Sequence, residues 1–159
     1  MGDGPSEMIM LMTGLIVAGL VSTVLLSTWD TMSQGLENQG DLEIKDAKTR
    51  ASLVSDPSAI SWNNTDDRAT IFIQNSGTIS LSIDDTYVFL DGNTMSVTPI
   101  DAAGVTWSKG VAIKFQIESS TDLTFTNGTE VFLTVGVSSL STSPTGTYSL
   151  TEVIRLDVR

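Results

Sequence analysis

The chain of 159 residues has no cysteine and no histidine. No disulfide framework is available to it, and zinc, haem and iron–sulfur sites of the usual kinds cannot be built. Ser-His-Asp and Cys-His catalytic arrangements are excluded on the same ground. Positive charge is scarce as well. Eight Lys and Arg stand against nineteen Asp and Glu, a formal net charge of -11. A nucleic-acid partner requires clustered Lys and Arg to meet the phosphate backbone, so none is expected, and neither is a polybasic membrane-surface role. Chemistry is left with carboxylates, a few lysines and many hydroxyls. No carboxylate pair takes defined acid and base roles, so neither an enzyme nor a cofactor is expected.

What the sequence does contain is one long apolar run. "SEMIMLMTGLIVAGLVSTVLLSTW", Ser6 to Trp29, has one acid at its front and no further charge until Asp30. As a helix, Met8 to Thr28 spans about 30 Å, enough to cross a bilayer core. Trp29 stands where an interfacial aromatic is expected. A secretory signal would show a basic front, a shorter apolar centre and a small-x-small cleavage site. The front here is "MGDGPSE", and the first Lys or Arg is Lys45. The expectation is a segment that is retained. Within it Gly14, Ala18 and Ser22 recur every fourth residue, with Gly19 and Thr23 beside them, a narrow stripe that lets helix backbones approach closely.

Beyond Trp29 an imperfect helical stripe runs through Met32, Leu36, Ile44, Ala47, Ala51 and Val54. Asp41 and Lys45, and Asp46 and Arg50, have the spacing of helix ion pairs. Gly35 and Gly40 are weak points for a bend, and Asp56-Pro57 is the expected stop. Residues 1–56 therefore read as hydrophobic helix and stalk, 57–68 as linker, and 69–159 as a separate domain.

In that domain the period changes to two. Alternation marks strands at Ile79–Ile83, Val111–Ile117, Val131–Val137 and Leu150–Val158, with shorter ones at Thr70–Gln74, Thr86–Leu90, Met95–Thr98 and Leu123–Thr126. Ser76-Gly77, Asp91-Gly92 and Asn127-Gly128 are turn pairs, and "SSLSTSPTGT" reads as a mobile loop. The expected fold class is α+β: a long N-terminal hydrophobic helix followed by a small antiparallel Ig-like β-sandwich.

Two glycosylation sequons begin at Asn63 and Asn127. Asp84-Asp85 and Asp91-Gly92-Asn93 lack the ligand spacing of a calcium loop, and turn chemistry accounts for them, so no metal site is expected. Trp62 and Trp107 read as packing residues rather than a ligand platform.

The opening "SEMIMLMTGLIVAG", then "MSQGLENQGDLEIKDAKTRASLVSDPSAI", "TIFIQNSGTISLSIDDTYVFLDG" and "TWSKGVAIKFQI", resemble archaeal flagellar protein G, an accessory-subunit family of the archaellum within the archaeal type IV pilin-like proteins. The resemblance implies a non-catalytic subunit that polymerises through its helix and helps fix the motor to the cell envelope. It implies copies of the chain, other archaellum subunits, the membrane and a surface-layer protein as partners. The helix would lie in the membrane or a filament core, with the β-domain outside the cytoplasm. Glu7, Gly14, Ala18 and Ser22 would serve assembly. Pilins and archaellins are normally cut after a basic residue plus glycine. A cut after Gly2 would make Glu7 the fifth mature residue, yet no Lys or Arg stands near Gly2. The alternatives are a main archaellin or pilin subunit and a monomeric membrane-anchored binding module.

Overall fold

A computed structural model describes residues 4–141 and 145–159; the Gly2 cleavage position and positions 142–144 of the serine-rich loop lie outside them. The chain divides into two compact units between Gly40 and Asp41.

Helix α1 runs from Gly4 to Lys48. Glu7 in its first turn and Lys45 and Lys48 in its last complement the helix dipole. It ends earlier than the expected stop at Asp56-Pro57. Thr49 closes it: its amide donates to the carbonyls of Lys45 and Asp46, at 2.9 and 3.2 Å, and its hydroxyl to that of Lys45 at 2.8 Å. Ala51, expected on the helical stripe, is instead buried in strand β1, Ala51–Leu53, which pairs antiparallel with Asn75 to Ile73. Burial and sheet pairing outweigh a weak helical preference there.

The remaining strands are β2 (Ile60–Asn63), β3 (Arg68–Asn75), β4 (Tyr87–Leu90), β5 (Asn93–Ile100), β6 (Ala112–Ser119), β7 (Glu130–Ser138) and β8 (Thr147–Val158). They form one sheet, ordered β1-β3-β2-β8-β7-β4-β5-β6, in which β3 also pairs with β6. Seven strands thus close into a barrel, with β1 laid on β3 beside β2.

The Ig-like sandwich is corrected by this closure. A sandwich keeps two separate sheets. Here β3 is paired along both edges, with β6 from Arg68–Glu118 to Gln74–Ala112 and with β1 and β2 on the other side. Closure removes the exposed edges that two open sheets would retain. One pair also departs from the antiparallel expectation, because β2 and β8 run parallel from Ile60–Leu156 to Trp62–Val158.

Two expected strands are absent. Ile79–Ile83 contributes only bridges at Leu81, to Trp107 and Ser139, and Leu123–Thr126 forms no strand. The barrel interior is filled by inward positions such as Ile71, Ile73, Val88, Phe115, Leu133, Val135 and Ile154. Trp107 lies against Phe115 with ring centroids 5.4 Å apart, and Trp62 meets the edge of Phe125 at 5.3 Å. Both tryptophans are fully buried packing residues.

Candidate functional site

No residue of α1 is buried. Large apolar side chains from Met8 to Leu26 are all more than half exposed, so this surface requires a lipid or protein environment. The helix is long and apolar enough to cross a membrane.

Five of its hydroxyls are satisfied within the helix. Thr13 donates to the Ile9 carbonyl at 2.8 Å, Thr23 to Gly19 at 2.9 Å, Ser27 and Thr28 to Val24 at 2.9 and 2.8 Å, and Thr31 to Ser27 at 2.9 Å. Each bond removes a donor that would be costly in an apolar surrounding. The segment therefore suits an environment without water despite its Ser and Thr content. Glu7, Gly14, Ala18 and Ser22 all lie on α1 and are exposed. At Gly14 and Gly19 an added Cβ would meet nothing within 4 Å in this chain.

Within the second unit, which begins at Asp41, the last turn of α1 is held to the loops and strands of the barrel. Asp46 Oδ1 accepts the Thr147 amide at 2.6 Å, and Lys45 Nζ donates to Ser141 Oγ at 2.8 Å. Thr78 N donates to the Lys48 carbonyl at 3.0 Å and Gly77 N to that of Arg50 at 3.1 Å. The Arg50 guanidinium lies 4.9 Å from the centre of the Tyr148 ring, so the expected Asp46–Arg50 ion pair gives way to contacts with the barrel. A Cβ at Gly146 would come within 2.5 Å of Thr49 Oγ1 and 2.8 Å of the Lys45 carbonyl, which explains a glycine there. Buried Asn75 completes the grip. Its amide donates to the carbonyls of Ile79 and Trp107, both at 2.8 Å, and its Oδ1 accepts Gly77 N at 2.9 Å. The only sequence signal for this role is the Asn-Ser-Gly turn that carries it.

The sequons lie in different settings. Asn63 is half-buried at the end of β2, where its amide donates to Asp66 Oδ2 at 2.9 Å and its Oδ1 accepts Thr65 N at 2.8 Å. Asn127 is exposed, with Oδ1 accepting Val158 N at 3.2 Å. Among the described residues no group of three or more Asp and Glu is placed to hold a metal ion. An open groove is lined by Leu81, Ile83, Val105, Trp107 and Leu140, with Ser82, Asp84, Asp101 and Thr106 among them.

A long helix whose apolar side chains from Met8 to Leu26 are exposed, in a chain whose second unit is a closed β-barrel, defines a structural subunit. The family model described as archaeal-type flagellin matches residues 3–158, and the chain belongs to that family. It is accordingly a structural, non-enzymatic protein of the archaellum, a filament of motility, whose members self-polymerise and work with other archaellum components at the cell envelope or in a surface filament. No curated protein sequence matches the chain. Among solved structures, the crystal structure of the periplasmic chaperone SfaE matches at 11% identity and a TM-score of 0.34, covering 69% of this chain. This chain spans only 56% of that one, and a likeness of this degree carries no argument.

Proposed function

We propose that the chain polymerises through α1 and serves as the accessory, stator-type subunit that anchors the archaellum motor to the cell envelope. The observation that carries the polymeric part is the unburied apolar surface of α1 from Met8 to Leu26. Covering that surface with neighbouring helices or lipid supplies the driving force, and the stripe of Gly14, Ala18 and Ser22 lets helix backbones come close. Glu7, at the front of the helix, is the group that would pair with an amine of a neighbouring chain. The barrel then lies outside the cytoplasm, with Asn63 and Asn127 as candidate glycan acceptors and a surface-layer protein as a candidate contact.

The accessory role rests on the resemblance of Ser6–Gly19, Met32–Ile60, Thr70–Gly92 and Thr106–Ile117 to archaeal flagellar protein G. A second reading, the main filament subunit, is equally compatible with the family match over residues 3–158. Mass spectrometry of the N-terminal peptide, comparing sheared surface filaments with the remaining envelope, separates the two. The accessory role requires the chain to be confined to the envelope. An abundant processed chain in the filaments would make it the main subunit.

A further inference from the structure

We propose that the groove between the Ile79–Ile83 segment and the far end of β5 docks a short basic segment of another protein, one that carries lysine or arginine among apolar residues. The proposal concerns the barrel alone and is independent of whether the chain is an accessory or a main subunit.

The groove exists because two stretches stand outside the regular pairing of the barrel. β4 reaches only as far as Met95 of β5, so Ser96 to Ile100 pair with β6 alone. Ile79–Ile83 alternates like a strand yet makes only the bridges at Leu81. Both stretches line an open groove of about 690 Å³. That volume lies within the roughly 300–1,000 Å³ of ligand sites, room for a few side chains but not for a folded domain. Its lining includes Leu81 and Trp107, both buried, half-buried Ile83 and Pro99, and Val105 and Leu140, which are 39% and 60% exposed. Main-chain bonds fix these positions: Leu81 N donates to the Trp107 carbonyl at 3.0 Å, Leu140 N to that of Ser80 at 2.9 Å, and Val105 N to that of Ala102 at 3.1 Å.

The backbone of the groove argues against one kind of occupant. An added strand needs main-chain amides as well as carbonyls along the open edge, and Pro99 has no amide to give. Recognition therefore falls to side chains.

Charge names which side chains. Asp84 and Asp101 line the groove, both are exposed, and no Lys or Arg lines it. Among the described residues neither carboxylate has a hydrogen-bond or ion-pair partner. Comparable carboxylates elsewhere are engaged. Asp85 accepts from Ser138 Oγ at 3.4 Å, and Asp67, with a left-handed backbone like that of Asp101, accepts the Leu123 amide at 3.3 Å. Two smaller grooves of the barrel are lined by Arg155 and by Arg68 and so present a cation instead. An apolar trough with two unpaired carboxylates fits a side chain that lays an aliphatic stem on apolar surface and holds a positive head in water.

The basic residues of this chain do not form such a segment. Lys114 and Arg155 stand between residues buried in their own barrel, Ile113 and Phe115 for the first and Ile154 and Leu156 for the second. Arg68 pairs with Asp66, Arg50 lies on Tyr148, and Lys109 stands between Ser108 and Gly110. The net charge of -11 sets copies against one another and draws a basic segment of a different protein toward the barrel.

The test uses the full-length chain in phosphatidylcholine nanodiscs and a short peptide that alternates photo-leucine with lysine. Irradiation should cross-link the peptide to positions 81–84, 99–107 or 140, read by mass spectrometry of the adduct. The double variant Asp84→Asn, Asp101→Asn should lower the yield at least about fivefold, as expected when two exposed ion pairs are lost. Asp91→Asn, which removes an exposed carboxylate outside the groove, should leave the yield unchanged. A peptide with glutamate in place of lysine should give no adduct at these positions, and one with serine in place of leucine should fail to compete. Adducts spread over the chain, an equal loss in Asp91→Asn, or full competition by the serine–lysine peptide would mean attraction to net charge alone and overturn the proposal. Equal labelling by the glutamate peptide, or no adduct in the groove, overturns it as well.

Discussion

The backbone amide of Thr147 donates to the carboxylate of Asp46 at 2.6 Å, a bond between the last turn of α1 and the first residue of β8. Load carried along the helix in a polymer must pass to the barrel through this region, where Gly146, Thr49 and Lys45 also meet. A charge-assisted hydrogen bond is stronger than a neutral one. Asp46→Ala should therefore lower the stability of the barrel by about 1–2 kcal/mol, and Asp46→Asn, which keeps an acceptor, by less. Denaturant unfolding of the detergent-solubilised chain reads both, and equal midpoints for all three proteins would remove this bond from the account.

Asn75 is the polar centre of the same end of the barrel, fully buried and making three hydrogen bonds to main-chain groups of Gly77, Ile79 and Trp107. Asn75→Ala leaves two carbonyls and an amide without this partner, at a cost of about 3 kcal/mol or more. Because those groups lie in the segments beside Leu81 and Trp107, the indole fluorescence of Trp107 should report the loosening before global unfolding. A variant with unchanged stability and fluorescence would show that water replaces these bonds freely.

The loop that joins β1 to β2 carries a titration marker. Hydrogen bonds from the Ser58 hydroxyl at 2.6 Å and amide at 2.9 Å hold the Asp56 carboxyl below its ordinary value. A carboxyl depressed in the folded state favours folding above its unfolded pKa, near 3.9, and loses that contribution as pH falls through the lower folded value. Asp56 is fully exposed, so the effect on stability is small and the titration itself is the useful readout. In Ser58→Ala the Asp56 carboxyl, followed by NMR, should titrate closer to the ordinary value. An identical titration in both proteins would remove the Ser58 hydroxyl as the cause.

The helix was legible because nothing else in the sequence is apolar for so long, and β3, β6 and β7 were legible because Ile71, Ile73, Phe115, Ile117, Leu133 and Val135 alternate cleanly. Short strands were harder. β1 has three residues and β2 four, and Ala51 also fits a helical stripe, so only tertiary pairing decides their state. Ile79–Ile83 shows the opposite failure. Its alternation is real, with Leu81 buried, yet no neighbouring strand runs beside it. Barrel closure depends on β3 meeting β6 across forty-odd residues of chain, and alternation is the same in a barrel and a sandwich. The apolar site was visible at once, whereas the grip on its end was not. Asp46, Asn75 and Gly146 act through backbone groups distant in sequence, which a local pattern does not encode.

If α1 holds the polymer together through its apolar, small-residue surface, Ala18→Asp abolishes assembly. The substitution puts a carboxylate on the helix-packing stripe, in the other unit of the chain from the barrel, whose folding is checked separately by its β-sheet circular dichroism. Electron microscopy and sedimentation of envelope preparations should show a folded barrel and no assembly. Assemblies of normal length and abundance from the Ala18→Asp chain would contradict the account.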